Sequence, residues 1–126
     1  MRIHQEVTLN SSLEKIYGTL MNATKFSEAT GAPAEIVDEE GGAFSCFGGQ
    51  ITGRNIELHK NELIVQAWRI GAWPEGVYSI VRFKLEDVAG KTKVILDHSG
   101  FPDDAAEHLE TGWAKMYWDP LQNVFA

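Results

Sequence analysis

Three side-chain types of a hydrolytic triad stand next to one another in Asp97-His98-Ser99. They could act together only if their side chains converged on one point. The surrounding segment KTKVILDHS alternates polar and apolar residues, which is typical of a half-buried strand. Because successive strand residues point to opposite faces, Asp97 and Ser99 point away from His98. A triad of these three neighbours is therefore excluded, and no catalytic residue is predicted.

His98 shares the inward face of this strand with Leu96, and Ser79 shares that of the preceding strand with Val81 and Phe83. One interpretation is a buried, neutral histidine that is hydrogen-bonded within the protein. The other is a polar group that orients a ligand or moves a proton. The sequence leaves both open.

Other kinds of chemistry lack the required spacing. The four histidines lie on different predicted elements, and none has a second metal-binding residue at a ligand spacing. The glycine pairs at 41-42 and 48-49 are not followed by a helix that could receive a phosphate. Cys46 is the single cysteine and is predicted to be a buried thiol. We therefore predict no metal site and no cofactor.

Charge and hydropathy exclude two classes of partner. The chain has 11 basic and 18 acidic residues, a formal net charge of -7, which opposes binding to nucleic acid. The N-terminal sequence lacks the apolar core of a signal peptide, and no apolar run approaches the roughly 20 residues that span a bilayer. We expect a cytoplasmic protein without a membrane segment.

The elements that would position His98 and Ser79 can be placed by periodicity. Residues 2 to 9 alternate as a first strand, and Ser11 followed by Glu14 predicts the start of a short helix. A weaker second helix is predicted before Gly31. Residues 35 to 100 then form a meander of short strands separated by turns, which makes neighbouring strands antiparallel.

The last segment changes to helical spacing. Leu109, Trp113, Met116 and Tyr117 recur at intervals of three and four residues, so we predict a long amphipathic helix. Pro120 predicts a kink in it near Met116. The whole pattern indicates an α+β fold in which a curved antiparallel sheet of about seven strands wraps around the long C-terminal helix, with two short helices after the first strand. Such an arrangement leaves room for a cavity between sheet and helix.

Several segments together resemble a known superfamily. They are LEKIY (13–17), GGAF (41–44), LIVQAWR (63–69), SIV (79–81), TKVILDHSGFP (92–102) and GW (112–113). In order and spacing they resemble the START-like, Bet v 1-like (SRPBCC) superfamily and, within it, proteins related to the C-terminal domain of the activator of Hsp90 ATPase. The resemblance implies the helix-grip fold, with residues 1–126 as a single START-like domain.

The aromatic and apolar residues around the predicted cavity are either simple core or the wall of a small-molecule site. Because polar groups are interspersed among them, we favour the site. The predicted ligand-binding residues are Phe44, Trp68, Ser79, Val81, Phe83, Leu96, His98, Trp113, Met116 and Tyr117. The ligand would be a small apolar or amphipathic molecule. The alternative implied by the resemblance is a module that binds Hsp90 or another protein. A third hypothesis is a cyclase- or hydrolase-type enzyme using His98 as acid or base near Tyr117.

Overall fold

Seven antiparallel strands form one curved sheet in the computed structural model, which describes all 126 residues. The strands lie in the order β1-β7-β6-β5-β4-β3-β2, so only β1 and β7 pair across a long sequence separation. Their bounds are β1 (Arg2–Leu9), β2 (Ala34–Ile36), β3 (Ala43–Cys46), β4 (Ile51–His59), β5 (Leu63–Ile70), β6 (Ser79–Val88) and β7 (Lys91–Ser99). The predicted seven-stranded antiparallel sheet is confirmed.

Two short helices follow β1, as predicted. They are α1 (Leu13–Met21) and α2 (Ala23–Thr30). The predicted cap at Ser11 is wrong by one residue, because the Ser12 hydroxyl accepts the hydrogen bond from the Lys15 backbone N–H at 3.3 Å. No helix of the protein is long and apolar enough to cross a membrane.

The C-terminal helix is built from three consecutive pieces. After a 3-10 turn at Asp103–Ala105 come α3 (Ala106–Trp113), a π-helical turn (Ala114–Trp118) and α4 (Asp119–Val124). The sequence predicted a kink near Met116, and the π turn contains that residue. Pro120 has no N–H to continue the α-helical pattern, and the wider π turn absorbs the irregularity. Its extra residue also brings Trp113, Tyr117 and Trp118 onto the buried side of one helix.

The core lies between the inner face of the sheet and the helices. Alternate residues of β6 and β7 point into it, including the predicted inward residues Val81, Phe83 and Leu96, which are at most 2% exposed. A void among the core residues near Phe44 and Phe83 measures only about 10 Å³. Since one water needs roughly that volume by itself, this part of the interior has no room for a ligand.

Phe44 is held inward by its partner across the sheet. It is paired with Gly53 on β4, and a Cβ atom on Gly53 would lie 2.7 Å from the Phe44 ring and would collide with the Ala67 carbonyl oxygen. Only glycine permits this close approach of ring and strand. Phe44 therefore contributes to the packed core beneath β4.

Candidate functional site

A continuous hydrogen-bond chain links the C-terminal helix to three strands through His98. The indole N–H of Trp113 donates to His98 Nδ1 at 3.1 Å, and His98 Nε2 lies 2.7 Å from the hydroxyl of Ser79. That hydroxyl donates to the Trp68 backbone carbonyl at 2.8 Å. The chain confirms the prediction that His98 and Ser79 face inward, and it places His98 opposite Trp113.

The partners determine the protonation of His98. An indole nitrogen can only donate, so Nδ1 must be the acceptor and carries no proton. The Ser79 proton is already directed at a carbonyl, so the proton of the imidazole lies on Nε2 and is donated to the Ser79 oxygen. Burial lowers the pKa of His98 to about 4. The imidazole is neutral at pH 7, and both of its nitrogens are engaged within the protein.

The neighbouring polar residues point to the opposite face of the sheet, as predicted. Asp97 accepts hydrogen bonds from the Arg2 guanidinium at 2.7 Å and from His4 Nδ1 at 2.8 Å. Partial burial alone would raise the pKa of Asp97, but the hydrogen bonds from His4 and Arg2 outweigh it, and the pKa falls below its usual value. Ser99 is exposed at the end of β7. No triad is formed by these three neighbours.

An open groove of about 340 Å³ lies beside the His98 chain, between the C-terminal helix and the adjoining ends of β4 and β5. Its inner wall contains large aromatic rings, and its mouth contains exposed polar side chains. The lining residues are Gln50, Ile51, Trp68, Ile70, His108, Leu109, Thr111, Gly112, Trp113, Lys115, Met116 and Tyr117.

Two stacked tryptophans form the inner wall of the groove. The rings of Trp68 and Trp113 lie 5.5 Å apart at 25°, and each residue is 2% exposed. Trp113 donates its N–H to His98, whereas Trp68 Nε1 is buried without any hydrogen-bond partner. Asn61 Oδ1, in the turn between β4 and β5, is the other buried side-chain polar atom without a hydrogen-bond partner. A buried, unpaired donor costs free energy, so Trp68 is unusual in this core.

Tyr117 stands beside this unpaired donor. Its ring packs against Trp113 at 4.5 Å and also contacts Phe26 and Phe47. Burial raises the pKa of the Tyr117 hydroxyl well above its usual value, and the neighbouring Trp68 N–H works in the opposite direction without forming a hydrogen bond of acceptable geometry. Tyr117 therefore stays protonated, and its side chain lies between the groove and the small core void, both of which it borders.

The structure divides the ten predicted ligand-binding residues into two sets. Trp68, Trp113, Met116 and Tyr117 line the groove. The other six are packed in the core behind it, where Ser79 and His98 belong to the hydrogen-bond chain; they are Phe44, Ser79, Val81, Phe83, Leu96 and His98. Their contact with a ligand stays a prediction.

Eight lining residues were not among the predicted ones. Three of them, Leu109, Gly112 and Lys115, lie on the helix at spacings of three residues, next to the predicted Met116. The helical period could have revealed them as neighbours on one face. Gln50, Ile51 and Ile70 come from strand ends, and no sequence pattern indicates that the helix crosses the sheet there.

The remaining candidates for chemistry are separate from the groove. Cys46 is buried, and burial raises the pKa of its thiol to about 12, so it is not a ready nucleophile. No three histidine, cysteine or acidic side chains are grouped so that they could hold a metal ion.

The fold and the groove define a helix-grip domain of the Bet v 1-like type, and comparison with known proteins specifies the family. Residues 10–126 match the family model described as "Activator of Hsp90 ATPase homolog 1-like protein". The chain therefore belongs to this family. The predicted superfamily and subfamily are both confirmed.

Curated relatives extend well beyond the matched region. The human activator of 90 kDa heat shock protein ATPase homolog 1 is 27% identical over 124 residues, which cover 98% of this chain and 37% of that protein. The homologue from Dictyostelium discoideum is 36% identical over 112 residues, covering 87% of this chain and 29% of that protein. This chain thus spans about a third of the length of these relatives.

Solved structures agree in fold. An HSP90 activator from Plasmodium falciparum superposes with a TM-score of 0.92 at 25% identity, covering 98% of this chain and 95% of that one. The Aha1 dimer from Colwellia psychrerythraea gives a TM-score of 0.84 at 22% identity, and the match covers 99% of this chain and 96% of that chain. The second likeness concerns the fold alone.

Proposed function

We propose that this protein binds a small, mostly apolar molecule in the groove between the sheet and the C-terminal helix. The observation that supports this most is the contrast in volume between the groove, at about 340 Å³, and the void in the packed core, at about 10 Å³. Sites for small molecules usually measure about 300 to 1,000 Å³, so the groove suits a ligand at the small end of that range.

The chemistry of the walls supports an apolar ligand. Trp68, Trp113 and Leu109 are almost fully buried and present apolar surface, while Lys115 and Thr111 are exposed at the mouth. An apolar body would exclude water from the rings, and its polar end could remain in solvent. The affinity would come mainly from burial of apolar area.

The first experiment is native mass spectrometry of freshly purified protein, followed by extraction and identification of any small molecule released. The matched variant is Gly112→Leu, since a Cβ at Gly112 meets no atom within 4 Å and the longer side chain would occupy the groove. We expect an adduct in the wild type and its loss in Gly112→Leu. An adduct that persists in this variant would place the ligand elsewhere and contradict the proposal.

Gly112→Ala is the control for that substitution. It adds a single methyl group at the same helical position and removes the flexibility of glycine, so we expect the adduct to be retained and the fold to gain about 0.5 to 1 kcal/mol. Equal loss of the ligand in both variants would indicate an effect on the helix rather than occupation of the groove.

A second candidate function is binding to Hsp90. Family membership supports it, together with the close structural likeness to a protein described as an HSP90 activator. The outer face of the sheet could bind Hsp90, since Ile80 on β6 is 47% exposed beside the half-exposed Tyr78. On this interpretation the groove is not needed for the interaction.

An ATPase assay with purified Hsp90 separates the two functions. Stimulation that is weakened by Ile80→Asp and unaffected by Gly112→Leu would support the protein-interaction function through the outer face. No stimulation and no complex at high micromolar protein would remove it. A cytoplasmic location fits either function and stays a prediction.

A further inference from the structure

We propose that the ligand of the groove carries a neutral oxygen acceptor, such as the carbonyl of a ketone, ester or amide, which takes the hydrogen bond of Trp68 Nε1–H. The inference builds on the proposed function, because it names the chemical class of ligand for the same groove. It begins from the buried tryptophan of the groove whose N–H has no hydrogen-bond partner.

The other buried tryptophans show how unusual this is. Trp113 donates its N–H to His98 at 3.1 Å, and Trp118 donates to Gln5 Oε1 at 2.7 Å. Trp68 is as buried as Trp113, yet its N–H has no acceptor. Buried donors are nearly always paired, and an exception is a place where an acceptor from outside the chain would be favoured.

The position of the donor directs it toward the groove. Trp68 borders the 340 Å³ groove and not the small core void, whereas Tyr117, on whose side the N–H lies, borders both. Met116, at the groove and half-buried, has an unbranched, adaptable side chain. A ligand oxygen would reach the indole N–H from the groove, and the adaptable wall on the Met116 side would let the groove adjust to it.

The surroundings select a neutral acceptor. The groove's only lysine or arginine side chain, Lys115, is exposed at the mouth, and the rings that pack on Trp68 are uncharged: Trp73, Trp113 and the neutral imidazole of His98. A carboxylate placed there would lose its hydration without gaining a counter-charge, which is costly. A carbonyl loses less on burial and needs as little as one donor, which the Trp68 N–H supplies.

The test compares two probes of nearly equal shape, 2-acetylnaphthalene and 2-ethylnaphthalene, which differ in a carbonyl oxygen. Both are titrated into the protein while the indole N–H resonances are followed by NMR. We expect both to perturb groove residues. Only the acetyl compound should move the Trp68 indole proton downfield, as a new hydrogen bond does.

Trp68→Phe removes the donor and keeps an aromatic ring. From wild type to this variant, the ratio of the two dissociation constants should shift by about tenfold against the acetyl compound. Trp73→Phe is the matched control, since Trp73 packs against Trp68 at 6.0 Å without bordering the groove, and it should leave the ratio unchanged.

The outcomes separate the two levels of the proposal. If both probes bind in the groove, the Trp68 proton does not move and the ratio is unchanged in Trp68→Phe, the assigned ligand class is wrong while a groove for apolar ligands stands. If neither probe perturbs the groove, the proposed ligand-binding function fails and the acceptor site fails with it.

Discussion

The two sides of the Trp68–Trp113 stack differ in one respect. The rings are parallel neighbours at 5.5 Å and equally buried. On the side of His98, every polar group has a partner: the indole of Trp113, both imidazole nitrogens and the Ser79 hydroxyl. On the side of the groove, Trp68 Nε1 has none.

This difference separates groups that stabilise the fold from groups that are free for a ligand. A satisfied buried network is rigid and specifies one arrangement, so its members have no capacity left for a ligand. An unsatisfied donor lowers stability and keeps its capacity to bind. His98 and Ser79 therefore stabilise the fold, and under the proposed function Trp68 is the group left free for recognition.

The largest expected effect comes from removing the centre of the satisfied network. His98→Ala leaves the Trp113 N–H without an acceptor, removes the hydrogen bond that Nε2–H donates to the Ser79 oxygen and opens a cavity, so the free energy of unfolding should fall by about 4 kcal/mol. Urea denaturation measures it. His108→Ala, at the exposed mouth of the groove, is the control and should change stability by less than about 0.5 kcal/mol. Similar effects of the two substitutions would refute the assignment.

Acid should weaken the same network. The pKa of His98 is depressed from 6.5 to about 4, so the unfolded chain takes up a proton between these values while the folded protein does not. The neutral, buried His98 therefore contributes about 3 kcal/mol to the free energy of unfolding above pH 6.5, and this contribution is lost progressively as the pH falls toward 4. Urea denaturation at several pH values should show it.

His98→Gln removes the titrating group and should reduce that loss of stability on acidification. The effect of His4 on the pH dependence of stability has the opposite sign, because its hydrogen bonds to Asp97 and Glu6 raise its pKa. Its contribution is present at low pH and is lost as the pH rises through its folded pKa. His4→Gln should therefore steepen the loss on acidification. An unchanged pH profile in His98→Gln would contradict the burial argument.

The two stacked tryptophans can be compared directly by the same substitution. Trp113→Phe deletes an indole and leaves His98 Nδ1 without a donor, whereas Trp68→Phe deletes an indole whose N–H had no partner. Trp113→Phe should be the more destabilising of the two by about 1 to 2 kcal/mol in thermal or urea unfolding. Equal losses would mean that the Trp113–His98 hydrogen bond contributes no net stability.

The smallest effect is expected at the end of the hydrogen-bond chain. Ser79→Ala removes one hydroxyl, leaves the His98 Nε2–H unpaired and deletes the side-chain hydrogen bond to the Trp68 carbonyl, and should cost about 1 kcal/mol. Affinity for 2-acetylnaphthalene should be unchanged, since Ser79 does not border the groove. A loss of affinity larger than the loss of stability would instead restore Ser79 to the ligand site.

Much of the fold was predictable from periodicity. Alternation along β6 and β7 places Ser79, Val81, Phe83, Leu96 and His98 on the inner face, because the period of a strand is two wherever it lies in the protein. Spacings of three and four identify the C-terminal helix in the same way. Details at element ends were less predictable, as shown by the cap at Ser12 in place of Ser11.

The candidate site was predictable only in part. Periodicity identified Trp113, Met116 and Tyr117 as members of one helix face. Alternation did not settle the direction of Trp68, because its strand LIVQAWRI is apolar on both faces. Periodicity could not identify Gln50 or Ile70, because a strand end acquires a role only when another element passes beside it.

The sequence by itself determined which residues face inward and which belong to the helix. It thereby also determined that Asp97 and His98 lie on opposite faces. Only the tertiary structure decided that Trp113 reaches His98 while the Trp68 N–H is left unpaired. The reason is geometric: a hydrogen bond between distant residues depends on where the helix crosses the sheet and on the π turn of Ala114–Trp118, and neither leaves a local pattern.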